Sequence, residues 1–555
     1  MQDALTEPVV AEPGDVTPEA ATAPTRAPWR PPAPEPVVRL TTLERLRDGQ
    51  AQLSDRLTGW IVAITLGVIA FVIRVVDLGR PATIMFDETY YAKDAWALLK
   101  FGYEVNWPST ANASIASGTV NVYDSTAEFV VHPQLGKWLI SSGEAVFGMN
   151  AFGWRIAACV FGSLLIVATV RLARRVSRST LIGGIAGVLL CADGLEFTMS
   201  RIALLDIFQA FFLVAAVGAV VADRDYFRWK LADKMTALGL AQLNGRYGPI
   251  VWLRPWRLVA GVLFGLAIGV KWNSMFVLAA MGVLSVIWDI GARRLAGADF
   301  RAALGLLIEG IPAFLRLVVV AGLVYVATWA SWWATAGGWD RRWGLDHPES
   351  PWTKWLGPDI ASFMFLHQEI YGFHTGDYIN HATHPYAATP AGWLLMLRPI
   401  AIDYQGDIKP GVDGCTATDS CVRAVTGMGT PILWWMAAAA LIVGLVWWIG
   451  GRDWRFGLPI VAALSTYLPW FNYDTRPLFF FYAITIVPFT ATILAMCFGL
   501  LLGAPGSPGR WRGGVVVGVA TALVWGDFAY IYPVLSGELI PYQSWLQRMW
   551  LRSWI

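Results

Sequence analysis

About eleven runs of apolar residues leave this chain one solvent in which to fold, a lipid bilayer. With no water to bind, every backbone N–H and C=O must be satisfied within the protein, so a span is a helix or part of a closed barrel. The runs are continuous rather than alternating, which selects helices. They cover roughly 60–76, 153–172, 181–194, 203–221, 257–270, 275–290, 315–335, 431–449, 456–471, 478–501 and 513–531. The run 135–149 is too polar for a span and is expected at the membrane interface. Only 15% of residues are charged, against about 25% in soluble domains, which excludes an ordinary soluble enzyme. A balance of 42 basic against 40 acidic residues gives no case for binding nucleic acid. The expected fold class is an all-α polytopic membrane protein of about 11 transmembrane helices with two long external loops.

Residues 1–55 are different material. Prolines from Pro8 to Pro36 punctuate a segment that cannot bury enough apolar surface to order itself, so a disordered cytoplasmic tail is expected. No apolar core lies near Met1, so no cleaved signal peptide is expected. Leu40 to Leu57 is amphipathic and Arg-rich, and is expected on the membrane surface. The transmembrane body is then 56–535, with 536–555 as an external tail. Basic residues set the orientation. Arg45 and Arg56, Arg171 to Arg178, Arg224 to Arg257, Arg293 to Arg301, Arg452 and Arg455, and Arg510 and Arg512 all fall on one side if the count is eleven. The amino terminus is then cytoplasmic, and the long loops 77–152 and 336–430 are external.

Loops this long are uncommon unless they work. The first opens with "FDETYYAKDAWALLKFG", carrying Asp87 and Glu88 ahead of a stretch with helical spacing. One reading makes Asp87 an N-cap and Glu88 a favourable first-turn charge. The other gives them two separate chemical roles, because neighbouring side chains on a helix diverge by roughly 100° and cannot share a proton. His132 and Lys137 follow in "VHPQLGKWL", and Arg155 marks the external end of the second span. Asp193, Glu196, Arg201, Asp206, Lys271 and Arg476 all lie near external span ends. Charges at such depth mark function or pair with one another, for example Arg201 with Asp206. Their gathering on one side points to an external pocket for an anionic ligand.

The second loop clusters His367, Glu369, His374, Asp377, His381 and His384. Their spacing matches no tight ligand motif, so polar groups lining a cleft are preferred over a metal. Cys415 and Cys421 stand close together in this external loop and are expected to form a disulfide. Cys159, Cys191 and Cys497 read as packing residues.

The segments "FDETYYAKDAW", "HPQLGKWL", "FGWRIAACVFG", "SRIALLDIF", "GLAIGVKWNSMF", "HTGDYINHATHPYAATPAGWLLMLRP" and "TYLPWFNYDTRPLFFFY" carry a resemblance. In order and side, the chain resembles the protein O-mannosyltransferases of the actinobacterial kind. The resemblance implies the C-type membrane glycosyltransferase fold and transfer of mannose from polyprenyl-phosphate mannose to Ser or Thr of a secreted protein. It implies that Asp87 and Glu88 form the family's acidic pair, and that Arg155 is the essential arginine of the second span. Gln134 departs from the family's second proline in "HPPLGK". The loop before the eighth span is too short for the β-trefoil domain of the eukaryotic members.

These roles make chemical sense. A hydroxyl nucleophile needs a base, assigned to Asp87, while Glu88 orients sugar or acceptor hydroxyls. The departing phosphate needs cationic support, assigned first to Arg155 and then to Arg201, Lys271 and Arg476, with His132 and Lys137 as further donor contacts. The reading calls for no cofactor, with a divalent metal as an open alternative. The implied partners are the lipid donor, a secreted acceptor, the bilayer and the protein translocation machinery. Two rival classes are a lipid-phosphate-sugar transferase acting on a glycan or lipid, and a transporter with an external anion site.

Overall fold

The computed structural model describes residues 40–47, 55–299 and 302–555. The tail expected over 1–55 therefore lies largely outside the described residues. Part of the surface stretch expected over Leu40 to Leu57 is described. Thr42–Arg47 is one short helix whose Leu46 is buried among Phe227, Leu231 and Met235, with Arg47 Nη2 donating to Thr236 Oγ1 at 2.8 Å. Its Leu46 and Leu43 pack against protein neighbours.

Among the described residues, seven helices are long and apolar enough to cross a membrane. They are Arg56–Val75, Ala151–Ser177, Asp206–Ala237, Ser274–Leu295, Leu306–Ala327, Pro431–Ile449 and Arg510–Ser536. The remaining apolar runs also form helices, but shorter ones: Thr180–Cys191, Pro255–Val270, Trp454–Tyr467 and Val487–Leu502. At 1.5 Å per residue these reach only about 18–24 Å, against a hydrocarbon core of about 30 Å. Irregular backbone completes them: the short helix Gly194–Met199, the turn at Lys271, and the 3₁₀ segments Leu468–Asn472 and Phe480–Thr485. Such backbone is tolerated at membrane depth where it is buried or lines a cavity. The apolar run starting at 478 is therefore not helical from its start. Phe480, Phe481 and Ala483 are buried in the 3₁₀ segment, and the α-helix begins at Val487.

Ala151–Ser177 is the central strut. Its N-cap Asn150 accepts from Gly153 N at 3.0 Å, and it packs against Arg56–Val75, Thr180–Cys191 and Asp206–Ala237. The interfacial run 135–149 folds as the helix Leu135–Phe147, packed between this strut and the helix Glu88–Phe101, with Lys137 and Glu144 buried. Gly261 and Gly265 let Pro255–Val270 approach the Leu306–Ala327 helix. A Cβ at either would sit 2.3 Å from Arg316 O or 2.6 Å from Ala321 O.

An all-α chain is corrected by one small sheet. Strands β1 (Ile400–Ile408), β2 (Cys421–Gly427) and β3 (Leu539–Pro541) form an antiparallel sheet in the order β1-β2-β3. The hairpin lies within the second long loop and is closed by a disulfide between Cys415 and Cys421, as their spacing predicts. Pairing of β3 with β2 puts the segment after the last long helix on the same side as that loop.

The end of the bundle away from this loop is tied by charge. Arg254 and Arg257, at the start of Pro255–Val270, share Asp223 and Asp289 from the two neighbouring long helices at 2.5–3.1 Å. All four side chains are buried. In the sequence both arginines mark orientation, while their acidic partners lie on other helices where no local pattern pairs them.

Candidate active site

Phe86 has a φ of 46°, a left-handed conformation that is costly for a bulky residue and persists only where neighbours enforce it. They do: its ring packs edge-on against His384, Phe479 and Phe481. This turn delivers the next two carboxylates in different directions, as their divergence of roughly 100° on a helix requires.

Glu88 points inward and is fully buried. It accepts from Arg155 Nε at 2.7 Å, Arg155 Nη2 at 2.8 Å, Met85 N at 3.0 Å and Ala203 N at 3.1 Å. Arg155, also fully buried, completes its set with the carbonyls of Leu78, Pro81 and Thr83. All five guanidinium N–H groups are thus engaged inside the protein. The donor-phosphate role expected for Arg155 finds no free N–H, and the hydroxyl-orienting role expected for Glu88 finds no free oxygen. Both hold the turn that carries Asp87.

Asp87 occupies the N-cap position of Glu88–Phe101, yet its side chain makes no capping bond. Among the described residues none donates a hydrogen bond to this half-buried carboxylate. Burial pushes its pKa up to about 6, opposed by Lys271 and assisted by Asp206. Lys271 Nζ donates to Asp206 Oδ1 at 2.8 Å and Oδ2 at 2.7 Å, and lies 5.1 Å from the Tyr482 ring centre. Of its three N–H groups, one remains for a ligand.

Lys271, Tyr482, His132, His374 and Arg476 wall a cleft of about 190 Å³, with Trp272 and Trp470 as apolar surface. Arg476 Nη1 approaches His374 Nδ1 at 3.4 Å, while its Nε is buried without a partner. His374 Nε2 bonds Val131 O at 2.7 Å, and burial pushes His374 down to about 4. His132 stacks on it at 5.3 Å and is held well below its usual range by burial and by the nearby cations. Both imidazoles are therefore neutral at pH 7, and the cleft's positive charge belongs to Lys271 and Arg476.

The other expected contacts stand away from it. Lys137 is buried between Asp94 and Glu104, at 2.9 Å from each. Arg201 donates to the carbonyls of Arg74, Val76 and Asp77, closing the end of the Arg56–Val75 helix rather than pairing with Asp206. Glu196 pairs with Arg74, and Asp193 caps Gly194–Met199 while accepting from Trp434 Nε1 at 2.7 Å. Arg74 is the ion-pair partner that sequence reasoning missed, although an arginine at the end of an apolar run is itself a signal. Tyr482 was also missed, hidden in an aromatic run. Among the described residues no three His, Cys, Asp or Glu side chains converge as a metal site.

Two family profiles match the chain. One, described as dolichyl-phosphate-mannose-protein mannosyltransferase, covers residues 64–296. The other, described as the C-terminal four-transmembrane region of protein O-mannosyltransferase, covers 360–554. The chain is 38% identical over 517 residues to the polyprenol-phosphate-mannose–protein mannosyltransferase of Mycobacterium tuberculosis, spanning 90% of this chain and 92% of that one. The protein of the same description from Corynebacterium glutamicum is 32% identical over 497 residues, 88% and 92% of the two chains. The Saccharomyces cerevisiae protein O-mannosyltransferase Pmt1-Pmt2 complex bound to the sugar donor superposes with a TM-score of 0.66 over 92% of this chain and 94% of that one. At 13% identity this shows a shared fold.

Proposed function

The chain belongs to the protein O-mannosyltransferase family, and on that premise we propose that Asp87 is the base in transfer of mannose from polyprenyl-phosphate mannose to Ser or Thr of secreted proteins. It is a membrane mannosyltransferase. The acceptor oxygen attacks the anomeric carbon, the bond from that carbon to phosphate oxygen breaks, and Asp87 takes the hydroxyl proton. One carboxylate suffices for an inverting displacement, because phosphate leaves without protonation. Arg476 and the third N–H of Lys271 hold the phosphate as charge builds on it. Arg155 and Glu88 are positioning residues.

A groove of about 500 Å³ lined by Phe276, Val461 and Leu468 adjoins the cleft at Phe276. It gives the polyprenyl chain an apolar path beside the Ser274–Leu295 helix. All eleven apolar helices cross or enter the membrane in this reading. The amino terminus is cytoplasmic and the cleft faces outward, where protein translocation machinery would supply unfolded acceptors.

The observation that carries the reading is a carboxylate with no hydrogen-bonding partner among the described residues, beside a cationic cleft. The test uses membranes from an overexpressing strain, a Thr-containing peptide and labelled polyprenyl-phosphate mannose. Asp87→Asn keeps the size and removes the proton acceptor, and transfer falls at least about a hundredfold. Near-normal transfer by a normally expressed variant would overturn the assignment.

A further inference from the structure

A second cavity, of about 220 Å³, lies apart from the cationic cleft, between the hairpin and the segment after β3. Trp545, Met549 and Trp554 form its buried floor, and Tyr404 and Tyr542 form a half-exposed rim. The rings of Tyr404 and Tyr542 stand 5.5 and 5.6 Å from that of Trp545. No cationic side chain lines the cavity, whose polar groups are the hydroxyls of Tyr386, Tyr404, Tyr542 and Thr426, so it lacks the charge that the cationic cleft offers a phosphate. It is also built in advance of any ligand. Trp554 Nε1 donates to Met396 O at 2.8 Å, Tyr542 N to Ser420 O at 3.0 Å, and the Cys415–Cys421 bridge closes the hairpin above it.

A line of rings joins this cavity to the base. Phe86, the residue before Asp87, lies 6.1 Å from His384, and His384 lies 6.2 Å from Tyr386, which lines the cavity. β1 runs beside it as an edge strand of the sheet, with Tyr404 to Asp407 exposed. An unpaired strand edge recruits an extended chain through its backbone, while adjoining pockets select side chains.

Resting on the acceptor being a polypeptide, as proposed above, we infer that this cavity is an acceptor subsite that takes one compact apolar side chain, of the size of proline or valine, from the segment flanking the reacting Ser or Thr. An extended chain advances about 3.3 Å per residue, so the two ring steps, laid end to end, put that side chain within about four residues of the reacting hydroxyl.

The test is a set of single-Thr peptides in a Gly/Gln background, with one valine walked along each side of the Thr. The wild-type enzyme shows a peptide KM lowered about three- to tenfold at one position within about four residues of the Thr, with donor KM unchanged. Tyr404→Ala and Tyr542→Ala erase that advantage and leave transfer to the valine-free peptide unaltered, while Tyr404→Phe keeps it. A flat scan on active wild-type enzyme needs no variant and overturns the subsite alone. An advantage that survives both Ala variants, or a change in donor KM instead, also overturns it. Wild-type enzyme that mannosylates no peptide sinks the polypeptide reading with it.

Discussion

Replacing Arg155 separates a phosphate ligand from a positioning residue. Arg155→Ala removes both Arg155 bonds to the buried Glu88 and the donors to three loop carbonyls. Breaking a buried ion pair by deleting one partner costs about 3–5 kcal/mol, chiefly through the charge left behind. That is a large share of a total stability of about 5–15 kcal/mol. Arg155→Lys keeps a charge but loses the fork, so its loss is smaller. Glu88→Gln in the Ala background removes the stranded charge and restores part of the loss. Recovery is incomplete because one amide oxygen must serve the N–H groups of both Met85 and Ala203, and the carbonyls stay without a donor. The assay is tryptophan-fluorescence melting of detergent-purified protein, alongside donor KM. Melting temperature should fall in the order wild type, Lys, Ala, with Gln partly rescuing Ala and donor KM near wild type wherever the fold survives. Arg476→Ala should do the opposite, raising donor KM at unchanged melting temperature. A normally folded Arg155→Ala with weakened donor binding and no rescue by Glu88→Gln would refute the reasoning.

The base must be deprotonated to act, so the rate should rise with pH through about 6, the value to which burial lifts Asp87. Lys271→Met removes a cation that lowers Asp87 and leaves Asp206 unpaired, moving this acidic limb to higher pH. Asp206→Asn moves it to lower pH; a kcat profile that stays fixed in both variants counts against Asp87. A cysteine at the exposed Ser117 should react with an impermeant thiol reagent on intact cells, and one at the exposed Gln242 only after lysis. The reverse pattern would place the cleft inside. Cys415→Ser with Cys421→Ser should destabilise the hairpin by about 2 kcal/mol from loop-closure entropy, read as faster proteolysis between β1 and β2. Equal proteolysis rates in the pair variant and wild type would show the bridge is dispensable.

Helices and site were legible to different degrees. Each apolar run contains helix, because hydropathy and backbone satisfaction act locally. Run ends were less legible. Val487 rather than residue 478 begins a helix because Phe480 and Phe481 find protein to pack against. The sheet was invisible because β1 is broken by register irregularities and its third strand, β3, comes from more than a hundred residues away. Asp87, Lys271, Arg476 and His132 could be named from charge and side. Which charge answers which could not. Glu88 and Arg155 are 67 residues apart, and Arg201 satisfies backbone carbonyls that no side-chain pattern announces.

The arginine–aspartate knot at the far end of the bundle has a consequence for how the chain is threaded. The protein grows from its amino terminus, so Asp223 exists when Arg254 and Arg257 are made, but Asp289 does not. The arginines therefore meet the membrane before their second partner exists, and because orientation follows Lys and Arg themselves, with acids counting for little, they argue for staying on the side where synthesis occurs. Once the next helix is in place, Asp289 neutralises the knot and no net charge remains to be solvated. The same pair of residues thus serves first as an address and afterwards as a latch. A chain lacking Asp289 would still be inserted correctly but would leave the latch open.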